Sequence, residues 1–579
     1  MHMLLTRPGR EKKITVLLIL FVALGMTLAA GHWDPIQAQE PAEEDDILTL
    51  LPSIIAGSPA CCPISYRDSD PKYGLQYLGL YYFSPDMSHR KYGLAQLSDL
   101  DFNRLSLSDR RKVADKLLST LFFGYPEDVL LEKINARRFL CNVRKGLMEE
   151  TNDMVAVEVE IRDEARYYHS DYAVNEVYDI LARFYAMEHL DRHYLHNWMA
   201  YILTQTILFS PAYELDSTHY PNVASVYNWL VIDMNDDIGM RYSTYLHMTD
   251  SNNWRRFRSP EDNGREMLEI YAFDFADAHV PRAARTLQNW YLDEDGDTLV
   301  IGLNENTVPQ YLFDTWVTTG FDFYRELVKS DGFHEGVTRR LVDFFFLEHG
   351  EAQKAQITAA IVQSQPETWQ DILVQIVFSE EYLLHTSRVK SAEEMFYSLV
   401  KKLNYKHHQY SFSTLTEELS DMNQATMKYK LGKLDRVPLD TISFAEYHKF
   451  IRERVLIRNV CGTEEENDYL GYSNYGWRSA QVLSEDYFTY IELNPIETLT
   501  SFINYLFNFM IHRNPTAAER DMFIRNMLDS EHGGYLWGYN FNRMDEDKPG
   551  CYYTRENAAE DVFDYMSRLT EFYRFQEVQ

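Results

Sequence analysis

Residues 108–121 read Ser-Asp-Arg-Arg-Lys-Val-Ala-Asp-Lys-Leu-Leu-Ser-Thr-Leu. Val113, Leu117 and Leu121 recur every four positions, which puts them on one face of an α-helix, with Ser108 placed to cap its start. The same period governs much of the chain. Val174, Val177, Tyr178, Leu181, Tyr185 and Glu188 trace a longer helix. Trp369, Ile372, Leu373, Ile376 and Leu383 trace another, opened by Pro366 in its first turn. Val562, Tyr565, Met566, Leu569 and Phe572 trace the last. Strand alternation is scarce, and 298–302 is the best short candidate. The expected fold is all-α with negligible sheet.

Stretches 121–126, 344–350 and 507–515 each end an apolar helix and lead through a turn into a polar-fronted one. Their separations are unequal, which excludes a solenoid repeat and suits helix hairpins packed in one bundle. At 579 residues the chain exceeds the size at which single cores tend to split, so two or three packed helical subdomains are expected. Residues 1–31 form a signal peptide in this scheme and 32–105 an irregular segment with an acidic start at 39–46. Residues 106–460 form a helical core, and 461–579 a carboxy-terminal helical subdomain.

The amino terminus carries Arg7, Arg10, Lys12 and Lys13 ahead of an unbroken apolar run over 14–30. This is the plan of a secretory signal peptide, with cleavage after Gly31 or Ala38, and no Cys follows closely enough for a lipid anchor. Export to the periplasm or the exterior is expected, with no membrane span after cleavage. The alternative is an uncleaved amino-terminal membrane anchor. Cys61 and Cys62 are adjacent, while Cys141, Cys461 and Cys551 stand apart. Without a C-x-x-C pair a thiolate zinc site is not expected, and Cys461–Cys551 is one possible disulfide.

Hydrophobic residues at 45% suffice for a packed core. The net charge of −32 argues against nucleic acid and anionic membrane surfaces, both of which are gripped by Lys and Arg. It permits cations and solubility in a salty exterior. The 41 Tyr suit grooves as well as the edges of helix cores. Trp198, Trp229 and Trp254 read most simply as helix-packing rings.

Familiar catalytic signatures are missing: there is no H-E-x-x-H, G-x-S-x-G, G-x-x-x-x-G-K-[ST] or G-x-G-x-x-G. The most informative stretch is Ser259-Pro260-Glu261-Asp262-Asn263-Gly264-Arg265-Glu266-Met267-Leu268-Glu269-Ile270. A Ser-Pro turn opens a helix with acids in its first turn, where the helix dipole favours them. Arg265 and Glu269 are four apart, Glu266 and Glu269 three apart, so these groups project from neighbouring faces. Ala284-Arg285-Thr286-Leu287-Gln288-Asn289-Trp290 then ends a second helix.

These two segments resemble the central motifs of the bacterial domain-of-unknown-function family numbered 1800. Arg265, Glu266 and Glu269 fall on the Arg and two Glu of its Asn-x-Asn-aromatic-small-Arg-Glu-Leu-Met-Glu-Leu helix start, and Gly264 on the small residue. Arg285, Leu287 and Trp290 fall on its Ala-Arg-x-Leu-Thr-Gly-Trp helix. Ile238-Gly239-Met240-Arg241 and Met422-Asn423-Gln424 are similar to flanking motifs. Asp262 stands in place of the family's last Asn, Asn263 in place of its aromatic residue, and Gln288-Asn289 in place of Thr-Gly. The resemblance spans about residues 106–455 and marks a divergent branch. It implies secretion, a helical fold and often a second exported protein encoded nearby, but no established activity.

Three clusters could carry chemistry. Asp262, Arg265, Glu266 and Glu269 could work by acid–base chemistry or hold a hard cation, or could form an Arg–Glu network that locks helices together. His189, His193 and His196 share a helix face beside Glu188, with metal-ligand spacing or as a hydrogen-bonded stripe. Asp293, Asp295 and Asp297 alternate as at the start of a calcium loop. Gly296 and Thr298 break that loop's pattern, which favours a plain acidic turn. No cofactor is expected, beyond a possible divalent cation such as calcium. Two functions follow: a non-catalytic exported binding or scaffold protein whose partner is another exported protein or a surface polymer, or an exported hydrolase of a polysaccharide or cell-envelope polymer. In the hydrolase, Glu266 or Glu269 would be the acid and Asp262 the base or nucleophile.

Overall fold

A computed structural model describes residues 74–80, 91–122, 134–148, 191–209, 223–293, 298–391, 393–395, 398, 441–450, 495–528, 543–545, 548–553 and 562–578. The chain divides after Cys61, and its first unit, with the signal-peptide plan, lies outside these residues. So do the helix expected over 174–188, His189, Asp295, Asp297, Cys61, Cys62 and Cys461.

The elements follow in chain order. They begin with α1 (Asp99–Arg104), α2 (Leu107–Phe122), α3 (Phe139–Gly146), α4 (Arg192–Gln205), α5 (Val223–Asn235), α6 (Met240–Met248) and α7 (Ser251–Arg256). Then come α8 (Pro260–Tyr271), α9 (Val280–Thr286), the hairpin strands β1 (Trp290–Leu292) and β2 (Leu299–Ile301), and the strands β3 (Gln310–Leu312) and β4 (Thr315–Val317). After these run α10 (Gly320–Lys329), α11 (Asp331–Phe345), α12 (Glu351–Gln363), α13 (Trp369–Val377), α14 (Glu380–Leu383) and β5 (Arg388–Val389). The carboxy-terminal part holds α15 (Thr441–Phe450), α16 (Pro495–Ile511), α17 (Ala517–Leu528), β6 (Arg543–Asp545), β7 (Lys548–Tyr553) and β8 (Arg574–Phe575). The fold is all-α. Its described strands form only two-stranded antiparallel pairs, β1–β2, β3–β4, β5–β8 and β6–β7. No described helix is long and apolar enough to cross a membrane.

Val113, Leu117 and Leu121 are fully enclosed on α2, as their spacing predicts. The cap lies two residues earlier than expected. Ser106 accepts the Asp109 N–H at 3.1 Å and donates to its carboxylate at 2.7 Å, whereas Ser108 donates to the His512 carbonyl at 2.6 Å. Ser106 has an acid three places on and Ser108 has Arg111, so only Ser106 can build the reciprocal cap. The helix at Trp369 differs in the same way. Thr368 and Asp371 cap each other, Pro366 precedes the cap, and Leu383 belongs to the next helix, α14. Near the end, the described residues are helical over 562–566 and tighten into a 3-10 turn at Thr570–Tyr573, which holds Phe572.

Trp290 does not end a helix. α9 stops at Thr286, and Asn289 takes a left-handed conformation (φ 64°) that turns the chain into β1. Asn is, after Gly, the residue that best tolerates this conformation. The 298–302 strand forms as β2 and pairs with β1 in the register Trp290↔Ile301. The β3–β4 hairpin turns on Phe313 and Asp314, both left-handed (φ 52° and 55°). Its two-residue loop needs that geometry. Stacking of Phe313 on Phe323, 5.8 Å between centroids, offsets the cost of a bulky residue there.

One hydrophobic core includes side chains from Leu78 to Tyr573. Two glycines set its closest approaches. A Cβ on Gly264 would lie 2.9 Å from the Ala283 Cβ, so α8 and α9 touch nearly backbone to backbone. A Cβ on Gly320 would lie 2.6 Å from the Trp290 indole.

The core also encloses charge. Arg388, 1% exposed, meets Glu394 through two 2.7 Å bonds. Lys116 is fully buried and donates to the carbonyls of Tyr382, Leu383 and Thr386 at 3.2, 3.1 and 2.6 Å. Burial, helped by the neighbouring Arg388 charge, pulls its ammonium down to about 7. Arg388→Met leaves a buried carboxylate unpaired and should cost roughly 3–5 kcal/mol, while Arg388→Met/Glu394→Met should cost less than Arg388→Met alone. Urea midpoints of the three proteins check this. A double variant as unstable as the sum of its single changes would show that the pair is not coupled.

Candidate functional site

The charged motif residues sit on the outer half of α8. Ser259 caps the helix by accepting the Asp262 N–H at 3.1 Å, and Pro260 occupies its first turn. The buried half is architectural: Gly264 meets Ala283, and Asn263 accepts the Tyr324 hydroxyl at 2.7 Å and donates to the Phe257 carbonyl at 3.3 Å. On the outer half Arg265 lies 4.0 Å from Glu269 and 3.4 Å from the exposed Asp277. Glu266 and Glu269 both act electrostatically on Arg340 of α11, which also donates to the Glu269 carbonyl at 3.2 Å. Asp262 is half-buried, and burial raises its carboxyl while Arg265 and Arg256 pull it down. The structure thus joins Arg265, Glu266 and Glu269 to a basic residue of another helix. Arg285 is exposed, and Trp290 is buried against Trp254, Phe321 and Tyr324.

His193 and His196 are tied into the α4–α5 seam. His196 is buried, its Nδ1 2.6 Å from Asn235 Oδ1, and burial takes it down to about 4. His193 Nε2 lies 3.2 Å from the Asn197 amide, whose Oδ1 accepts the Tyr227 hydroxyl at 2.7 Å. Asp293 closes the β1–β2 hairpin, with its carboxylate accepting the Thr298 N–H at 3.1 Å. Among the described residues, no group of three or more His, Cys, Asp or Glu is placed to hold a metal ion.

Among the described residues, a cleft opens elsewhere. About 330 Å³ in volume, it is bounded by Val226, Trp229, Leu230 and Asp233 of α5 and by Ser243, Leu246 and His247 of α6. Phe209 and the Thr249–Asp250–Asn252 link into α7 complete it. Trp198 and Trp254 are packing rings as expected, but Trp229 is 58% exposed and stands at this cleft. Positions 226, 230 and 233 share a face of α5, which carries Asp233 to the cleft wall. Asp233 is buried and accepts the Ser243 hydroxyl at 2.6 Å. Burial raises its carboxyl to about 6, against the Ser243 hydrogen bond and with the help of Asp236. His247 packs on Phe209, 4.8 Å between ring centroids. Its Nε2 is enclosed and makes no hydrogen bond, and burial, with Arg256 beside it, lowers the imidazole to about 3. The ring is therefore neutral at neutral pH. Periodicity could not reveal this cleft, because its residues come from four segments that meet only in the fold. The one local signal was an acid following Trp229 by four positions, on an otherwise uncharged helix.

Asp233 gives a signed pH dependence. Its folded-state carboxyl titrates near 6 against an ordinary 3.8, so between about pH 4 and 6 the folded protein holds more protons than the unfolded chain. This contribution is present at low pH and lost as pH rises through 6, by on the order of 3 kcal/mol. His196 and His247, depressed by burial, work in the opposite direction and gain stability as pH rises toward 6.5. Asp233→Asn should therefore gain stability relative to the unmodified protein between pH 4 and 7, as read by urea titration at each pH. A pH-independent difference would contradict the burial of an ionisable Asp233. No protein-family profile, no curated protein and no solved structure matches the chain.

Proposed function

We propose that the chain is a non-catalytic exported binding protein of the cell envelope or exterior, which takes a ligand in the cleft between α5, α6 and α7. The ligand is a small molecule or a group presented by another exported protein or a surface polymer. Export is supported by the basic and apolar amino-terminal plan. Binding is supported chiefly by Trp229, a large ring left 58% exposed at an apolar cleft with a buried carboxyl in its wall. Concave apolar surface with a few converging polar groups is the usual form of a ligand site.

The hydrolase alternative has less behind it. It requires two carboxyls facing each other across an open cleft. Glu266 and Glu269 instead share Arg340, and Glu269 also faces Arg265.

Thermal unfolding of the mature protein against panels of saccharides, amines and short peptides tests the proposal. At least one class should raise Tm, because a ligand that binds only the folded state stabilises it. Trp229→Ala should leave the ligand-free Tm within about 2 °C, since the ring is largely exposed, and should abolish the ligand-induced rise. An undiminished rise in Trp229→Ala, or turnover of the bound compound, would overturn the proposal.

A further inference from the structure

We infer that the cleft is built for an organic monocation, a primary or quaternary ammonium on a short apolar body, with Asp233 as counter-ion and Trp229 as the aromatic wall. This rests on the cleft being a binding site, and names what it binds.

The inference starts from an imbalance of charge. Among the described residues, the cleft is lined by two carboxylates, Asp233 and Asp250, and by no Lys or Arg. Asp233 is 8% exposed, and among the described residues it has no ion pair. Its hydrogen bond comes from a neutral hydroxyl, and the charge acting on it is that of Asp236, of the same sign. A buried carboxylate is costly unless a cation accompanies it. Arg388, also buried, observes this rule with Glu394 at 2.7 Å, and the buried Lys116 is compensated by three carbonyls. Asp233 departs from it, and the place where the cation is missing is an open cleft.

The remaining lining narrows the class. An anion would meet two carboxylates without a compensating cation. A hard divalent ion needs six or more oxygen ligands, and the walls here are Val226, Leu230, Leu246, Phe209 and Trp229. A polyhydroxylated ligand needs many free donors and acceptors, but these are largely engaged. Ser243 donates to Asp233, Thr249 to the Tyr245 and Leu246 carbonyls, and Asn252 to Asp250 and Ser225. Asp250 itself accepts the Asn252 N–H at 2.8 Å and caps α7. An ammonium on an alkyl or aryl body answers all three features, with its charge at Asp233, its body on the apolar wall and its polarised methylenes or methyls against the Trp229 face. His247, neutral and with an enclosed Nε2 that lacks a partner, offers a further polar atom in the same cleft.

Calorimetric titration of the mature protein with hexylammonium, hexanol and hexanoate, with tryptophan emission compared between the unmodified protein and Trp229→Phe, tests the inference. Hexylammonium should bind at least tenfold more tightly than hexanol, and hexanoate should not bind. In Asp233→Asn, hexylammonium should fall to the level of hexanol, while hexanol is unchanged. Equal binding of hexanol and hexylammonium by the unmodified protein would overturn the cation assignment and leave the cleft a binding site. Failure of all three to bind would overturn the cation assignment, and if no saccharide, amine or peptide raised Tm either, both readings would fall.

Discussion

Lys116 and Arg388 hold together segments that lie far apart in the chain, and the packing of the carboxy-terminal part on α2 depends on them. Lys116 satisfies three carbonyls around the end of α14, groups that a helix terminus otherwise leaves without partners. Arg388 reaches Glu394 and the Tyr382 hydroxyl, whose other neighbour is Thr120 of α2 at 2.7 Å. One residue before Lys116, Asp115 lies 3.5 Å from Lys390 and 3.2 Å from His512 at the end of α16. The Phe575 ring of β8 covers Arg388 at 4.7 Å. Every charge in this group is buried, so removing any one strands the others in a medium that cannot solvate them. Such a network does not add much net stability over apolar packing, but it tolerates few alternative arrangements.

Around this joint the middle of the chain divides its labour by helix face. The inner face of α8 is shaped for contact, with Gly264 against Ala283, and nearby Trp290 of β1 is seated on Gly320 of α10. Its outer face carries the conspicuous charges, and these link α8 to α11 through Arg340. The charged motif residues thus pair within α8 and with Arg340. The open chemistry lies one helix pair earlier, where α5 and α6 diverge around Asp233, Ser243 and His247. That placement makes physical sense. A buried, unpaired carboxylate opposes folding at neutral pH, and such a group is retained where a ligand makes use of it.

Much of the fold was legible because burial imposes periodicity. Val113, Leu117 and Leu121, and Ile372, Leu373 and Ile376, declared their helices by spacing alone, and all are enclosed. Helix ends were less legible. Ser106 and Ser108 differ as caps only through the residue three places on, and Asn289 stops a helix by adopting a backbone conformation that its neighbours do not signal. The charged stripe of α8 was legible as a stripe, but its partner Arg340 is 71 residues from Glu269. The cleft was least legible. Trp229 has the same local context as an enclosed ring, yet it stands 58% exposed at the cleft.

The central claim is that ligand recognition belongs to Asp233 and Trp229, and that the acids of α8 are structural. A crystal structure of the protein with hexylammonium tests it most directly. The account predicts the ammonium within hydrogen-bonding distance of the Asp233 carboxylate, with the alkyl chain along Trp229 and Leu230. An empty cleft with the ammonium bound between Glu266 and Glu269 would contradict it.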